Sequence, residues 1–177
     1  MSAHVESFKV LFSAAVTAVP LCAVMYGHAV AATRNEEWRT LAVPDFGTRV
    51  QFPAGIFSVP EGKPEKGIGE RLSTEDGRAT LSVYSRPNES GDTPASYLSH
   101  YLRTPRTQLD YQRVTPAFFA ISAVKNDTIY YSRCNFSRSA IHCFDLVYPA
   151  REKRAWDAIL TRISLSLRPL QSQRDEG

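Results

Sequence analysis

Ala117–Tyr148 reads AFFAISAVKNDTIYYSRCNFSRSAIHCFDLVY and holds two of the chain's three cysteines. Three aromatic and β-branched runs are separated here by two short polar breaks, the pattern of three consecutive strands. Asn126-Asp127 tolerates positive φ, so it suits a two-residue hairpin loop. If Arg138-Ser139 is the second loop, the pairs outward from it are Ser137 with Ala140, Phe136 with Ile141, Asn135 with His142, and Cys134 with Cys143. The cysteines then face each other at a non-hydrogen-bonded pair, where Cα atoms approach to about 4.5 Å. Arg-Ser is a weak pair for a type I′ turn, so a longer loop with a slipped register is the alternative, and it moves the cysteines off opposition.

The same register sorts the side chains by face. Phe119, Ile121, Tyr130, Cys134, Phe136, Ile141, Cys143 and Asp145 point one way; Phe118, Ala120, Ile129, Tyr131, His142, Phe144 and Leu146 point the other. Neither face is polar, so the sheet needs a cover on each side.

The 177-residue chain opens with one lysine, Lys9, then an uncharged stretch from Val10 to Thr33 that ends in Ala29-Val30-Ala31-Ala32. This is the pattern of a secretory signal peptide over residues 1–32, cut after Ala31 or Ala32. The competing reading is an uncleaved membrane anchor, which Pro20, Gly27 and His28 weaken. Cys22 lacks the small residue expected before a lipidated cysteine and leaves with the signal. Export makes Cys134 and Cys143 a disulfide in an oxidising compartment, periplasmic or secreted. Loop-closure entropy for about ten residues is on the order of 2.5–3 kcal/mol, less for a hairpin already held by its turn.

Met1–Ala32 carries one lysine and one glutamate, so the remainder holds 20 basic against 17 acidic residues, 16 of the 20 being arginine. The arginines are scattered, and the densest cluster, Arg151-Glu152-Lys153-Arg154, includes an acid and reads as a solvated helix start; no nucleic-acid partner is expected. Residues 33–47 read as a lead-in with Trp38 docked on a single domain over 48–169. Within that domain Thr48–Phe52 is a short strand closed by Pro53, Ile56-Phe57 an apolar insertion, and Pro60–Gly69 a flexible loop. Glu75-Asp76-Gly77 marks a hairpin. Thr93-Pro94 supplies a helix cap and first position, with Tyr97, Leu98, Tyr101 and Leu102 as its apolar stripe and Pro105 as its stop. Leu109–Thr115 leads into the meander as a further strand. Trp156, Ile159, Leu160, Ile163 and Leu167 recur at helical spacing in a long last helix that Pro169 ends, and 170–177 read as a disordered tail.

The expectation is an α+β fold: an antiparallel sheet of five to seven strands covered by a short middle helix and a long C-terminal one. This order, carried by Thr48–Pro53, the Asp76-Gly77 hairpin, the helix from Pro94, the meander and the helix with Trp156, resembles the PsbP-like fold over about 120 residues. The closing segment Tyr148-Pro149, Trp156, Ile159, Ile163 is also similar to that of small exported bacterial proteins. The resemblance implies an accessory or binding role and carries over no functional residue.

For chemistry the chain offers little. Only His100 and His142 lie beyond the signal. His100 is expected on the solvated side of its helix and His142 as a satisfied sheet residue beside Asn135. Cys134, His142 and Cys143 converge poorly on a metal, and no metal or other cofactor is expected. Asp145 is the polar oddity on an apolar strip, expected to bond Ser132 or Tyr130. Two functions follow: a binding or accessory module for an envelope protein or small ligand, using the Pro60–Gly69 loop with Phe57, Tyr84 and Tyr101 as an exposed apolar patch, or a small hydrolase or lyase built on Asp145 and His142. A third possibility, an anionic envelope ligand, needs Arg113, Arg133 and Arg138 to gather on one side.

Overall fold

The computed structural model describes residues 37–101 and 108–169; the expected signal segment, Leu102, the stop at Pro105 and the tail from residue 170 lie outside them. In chain order the elements are β1 (Trp38–Val43), β2 (Thr48–Pro53), β3 (Val59–Gly62), β4 (Ile68–Ser73), β5 (Thr80–Pro87), α1 (Pro94–Tyr101), β6 (Tyr111–Val114), β7 (Phe118–Lys125), β8 (Thr128–Phe136), β9 (Ala140–Pro149), α2 (Lys153–Ser166), entered through a 3-10 turn at Ala150–Glu152, and β10 (Arg168–Pro169). All strand pairs are antiparallel.

The meander folds in the register its turns dictate. Asn126 and Asp127 take φ of 50° and 56°, the left-handed pair of a type I′ turn whose twist matches the flanking strands. Arg138-Ser139 is a two-residue loop closed by the Ser137 N–H donating to Ala140 O at 2.9 Å. Cys134 therefore opposes Cys143, Cα to Cα 4.1 Å, and the two form a disulfide.

Alternation then builds three layers. Leu81, Val83, Ala120, Ile129, Tyr131, Phe144 and Leu146 pack with Trp156 and Ile163 of α2, with Leu167 just after it, and with Leu41, Val43 and Val50 of the first two strands. On the opposite face Phe119, Ile121, Cys134, Ile141 and Cys143 pack with Tyr84 and with Tyr97 and Leu98 of α1. Each large side chain so buried contributes about 1.5–3 kcal/mol of transfer free energy. Helix α1 starts where a reciprocal cap allows it: the Thr93 hydroxyl accepts from Ser96 N at 3.1 Å, and the Ser96 hydroxyl accepts from Thr93 N at 2.9 Å.

The structure departs from expectation in three places. The lead-in contains strand β1, paired in full with β2 through the turn Pro44–Gly47. The run Pro60–Gly69 is a loop only at 63–67, because its ends add β3 and β4 to the sheet edge. The strands form two sheets: a seven-stranded one, β3-β4-β5-β9-β8-β7-β6, and a three-stranded one, β1-β2-β10, beside α2. Moreover, α1 covers only part of its face: beyond it Tyr130 is 48% exposed, and Ser82, Ser132 and Asp145 are half-buried.

Candidate functional site

The expected site residues separate. Asp145 and His142 lie three apart on β9, so they leave opposite faces of the sheet and share no site. His142 is buried, with Nδ1 2.7 Å from Thr48 Oγ1 and Nε2 3.1 Å from Ser137 Oγ, and burial pushes its pKa down. Phe57 is buried against Trp156, ring centroids 5.7 Å apart, whereas Tyr84 is buried in the other cluster; only Tyr101 of the three aromatics is exposed, beneath the Arg86 guanidinium at 5.3 Å. The three do not form one patch.

Asp145 does meet two groups singled out with it. Its Oδ2 accepts from Lys66 Nζ at 2.9 Å, out of the 63–67 loop, and from the Tyr84 hydroxyl at 3.4 Å. Ser132, expected as its partner, sits opposite it in the β8–β9 register, yet the hydrogen bonds run to Lys66 and Tyr84. Burial, then the neighbouring Asp145 carboxylate, pushes the Tyr84 phenol well above its ordinary range, so it stays a donor. Asp145 Oδ1 and Arg71 Nε are buried without a hydrogen-bond partner. They share a face, with Ser82 between them.

Arg113 and Arg133 gather on one side without Arg138, which stays in the β8–β9 turn. Both stack on Phe118, at 5.4 and 4.1 Å, and Arg133 also donates to Ser164 at 2.9 Å and Asn135 at 3.1 Å. Arg133 is thereby engaged in holding α2 to the sheet.

A different arginine set lines a hollow along the seam between β2 and α2. The Gln51 N–H donates to Ser166 Oγ at 2.8 Å, which docks the last turn of α2 on the edge of β2 and delivers the next residues as β10. Arg168 then stands directly opposite Arg49. An open groove of about 630 Å³ runs along the seam, lined by Gln51, Ala158, Thr161, Arg162, Leu165 and Arg168. A smaller hollow of about 220 Å³, lined by Thr40 and Arg49, continues it past Gln51, Ser166 and Arg168. Arg162 lies over the Trp38 ring at 4.0 Å. The groove's one carboxylate, Asp157, is taken by Lys153 at 2.9 Å.

Among the described residues no carboxylate lies within salt-bridge distance of Arg49, Arg162 or Arg168. Like charges directly opposite on paired strands destabilise a sheet, and among the described residues nothing offsets the Arg49–Arg168 pair. Guanidinium forks so placed accept an oxyanion. Sequence reading passed over these residues because they lie far apart in the chain; the signal was the arginine excess itself and the polar alternates Arg49 and Gln51 along β2.

No family model matches this sequence, and no curated protein matches it. Thirteen chains of solved structures do. One is the solution structure of cyanobacterial PsbP (CyanoP) from Synechocystis sp. PCC 6803, with TM-score 0.56 and 11% identity over 76% of this chain and 93% of that one. The chain has a PsbP-like architecture, and a likeness at this identity is one of fold.

Proposed function

We propose that this PsbP-like chain is an exported, non-catalytic binding or accessory domain, stapled by Cys134–Cys143, that engages an anionic partner through the seam groove. The observation that carries the reading is the placement of Arg162 and Arg168 on the open groove, with Arg49 opposite Arg168 in the adjoining hollow and, among the described residues, no acid paired to any of the three. The buried disulfide supports export, since such bonds persist in oxidising compartments. The separation of Asp145 from His142 removes the pair on which the hydrolase reading depended.

Two measurements test it. The chain recovered from the periplasm or medium of an expressing bacterium is expected to lack residues through Ala31 or Ala32 and to show two thiols only after reduction; an intact N-terminus with free thiols overturns export. Titration of the ¹⁵N-labelled protein with hexaglutamate is expected to give saturable amide shifts along β2 and the last turns of α2, lost in R49E/R162E/R168E. Shifts elsewhere, or none, overturn the groove as the binding surface.

A further inference from the structure

We propose that the seam groove holds a phosphate monoester bearing an apolar group; this rests on the groove being the binding surface. The argument starts from the register. Arg49 and Arg168 are direct cross-strand partners, so their side chains rise from one face of the small sheet on neighbouring strands. One carboxylate offers two coplanar oxygens and a single negative charge, which cannot neutralise two guanidiniums. A phosphate monoester has three terminal oxygens and a charge near −2, enough to accept from two forks at once and to neutralise the opposed pair.

Further donors stand within the same lining. Arg162 comes in from α2, its guanidinium held over the Trp38 ring, and the exposed Gln51 amide lies between β2 and the helix. The Thr161 and Ser166 hydroxyls are committed to Asp157 O at 2.7 Å and Ile163 O at 2.8 Å, so recognition falls to the guanidiniums.

The other half of the groove is apolar. Leu165 is 69% exposed at its rim, with Ala158 two turns before it on the same stripe of α2. An exposed leucine on a helix whose other stripe, with Trp156 and Ile163, is packed on the core is surface available to a ligand's hydrocarbon part. A bare phosphate leaves it uncovered; an ester with an aryl or acyl group covers it. The same chemistry occurs in soluble phosphate esters and in the headgroup of a phosphomonoester lipid.

The experiment titrates the labelled protein with inorganic phosphate, phenyl phosphate and acetate at matched ionic strength, then with phosphatidylcholine vesicles with and without phosphatidic acid. Phenyl phosphate is expected to bind more tightly than inorganic phosphate, and acetate far more weakly than either. R168Q and R162Q should each weaken phenyl phosphate about ten-fold or more, R168K should recover part of the loss, and R154Q, outside the groove, should change nothing. R162Q alters an exposed helix position and leaves the β2–β10 pairing intact, so it carries the test if R49Q or R168Q proves unstable. Vesicle binding that needs phosphatidic acid and the same arginines assigns the lipid source; binding of phenyl phosphate without vesicle binding assigns a soluble ester. Arginine-dependent binding of hexaglutamate with no preference for phosphate overturns this inference and leaves the binding reading standing. Absence of both overturns the two together.

Discussion

His142 on β9 and Thr48 on β2 meet at 2.7 Å, both shut off from solvent, so one buried hydrogen bond ties the large sheet to the small one. The Ser137 hydroxyl donates to Ala140 O at 2.9 Å, which leaves it an acceptor toward Nε2 at 3.1 Å. The proton therefore sits on Nε2, and Nδ1 accepts from Thr48. Thr48→Val keeps the shape and strands the imidazole nitrogen, at an expected cost of about 1–3 kcal/mol in urea unfolding. Burial lowers the folded-state pKa of His142, so below about pH 6.5 the unfolded chain takes up a proton that the folded one refuses. Stability should fall as pH drops through that range, and His142→Gln should flatten the fall; an unchanged slope in that variant would refute the assignment.

The disulfide should be inert until the fold opens. Cys143 is fully buried and Cys134 is 1% exposed. Treatment with dithiothreitol under native conditions is expected to release no thiol on the timescale that releases two in denaturant. The Cys134→Ala/Cys143→Ala double variant should still fold, with stability lowered by no more than about 3 kcal/mol, because the strands are already neighbours through a two-residue loop. Rapid native reduction would contradict the burial.

Tyr84 should ionise only at unusually high pH. Burial is the larger cause and Asp145 the smaller. A folded pKa raised above the ordinary value of about 10 means that stability is present below pH 10 and lost as pH rises beyond it. In a ring-labelled NMR titration Asp145→Asn should bring the Tyr84 transition down without restoring its ordinary position. A full return to the ordinary range would make the carboxylate, and not burial, the dominant cause.

Two glycines test the sheet in opposite ways. A Cβ on Gly69 would overlap the Val83 carbonyl oxygen and stand 2.8 Å from Tyr84 Cα, both backbone atoms that cannot yield separately. Gly69→Ala should cost about 2 kcal/mol or more and loosen β4 from β5, read as faster amide exchange there. At Gly77 the space is open and only φ of +67° is at issue, so Gly77→Ala should cost about 1–2 kcal/mol with β4–β5 exchange unchanged.

The meander was legible residue by residue because everything that sets it is local: two two-residue turns, an alternation of period two, and a cysteine pair that fits only one register. The two helices were legible for the same reason. Strand β1 was not, because only Leu41 and Val43 of its six residues are buried, although Pro44-Asp45-Phe46-Gly47 carried a turn signal. Strand β3 has three exposed residues and a proline, the marks of a loop, and it survives as an edge because it needs only one neighbour. Asp145 meets Lys66, and Arg49 meets Arg168, through contacts between residues far apart in the chain, which composition does not reveal.

That pairing sets an order of events. The seam exists only when the two residues of β10 reach β2, which was made more than a hundred residues earlier, whereas the meander closes within a span of about thirty. Local contacts form early and distant ones late. A chain emerging from the ribosome can close its meander before its last residues reach β2. Until Arg168 reaches β2, Arg49 has no cross-strand partner on that side, so the nascent protein travels with the β2–β10 seam unassembled.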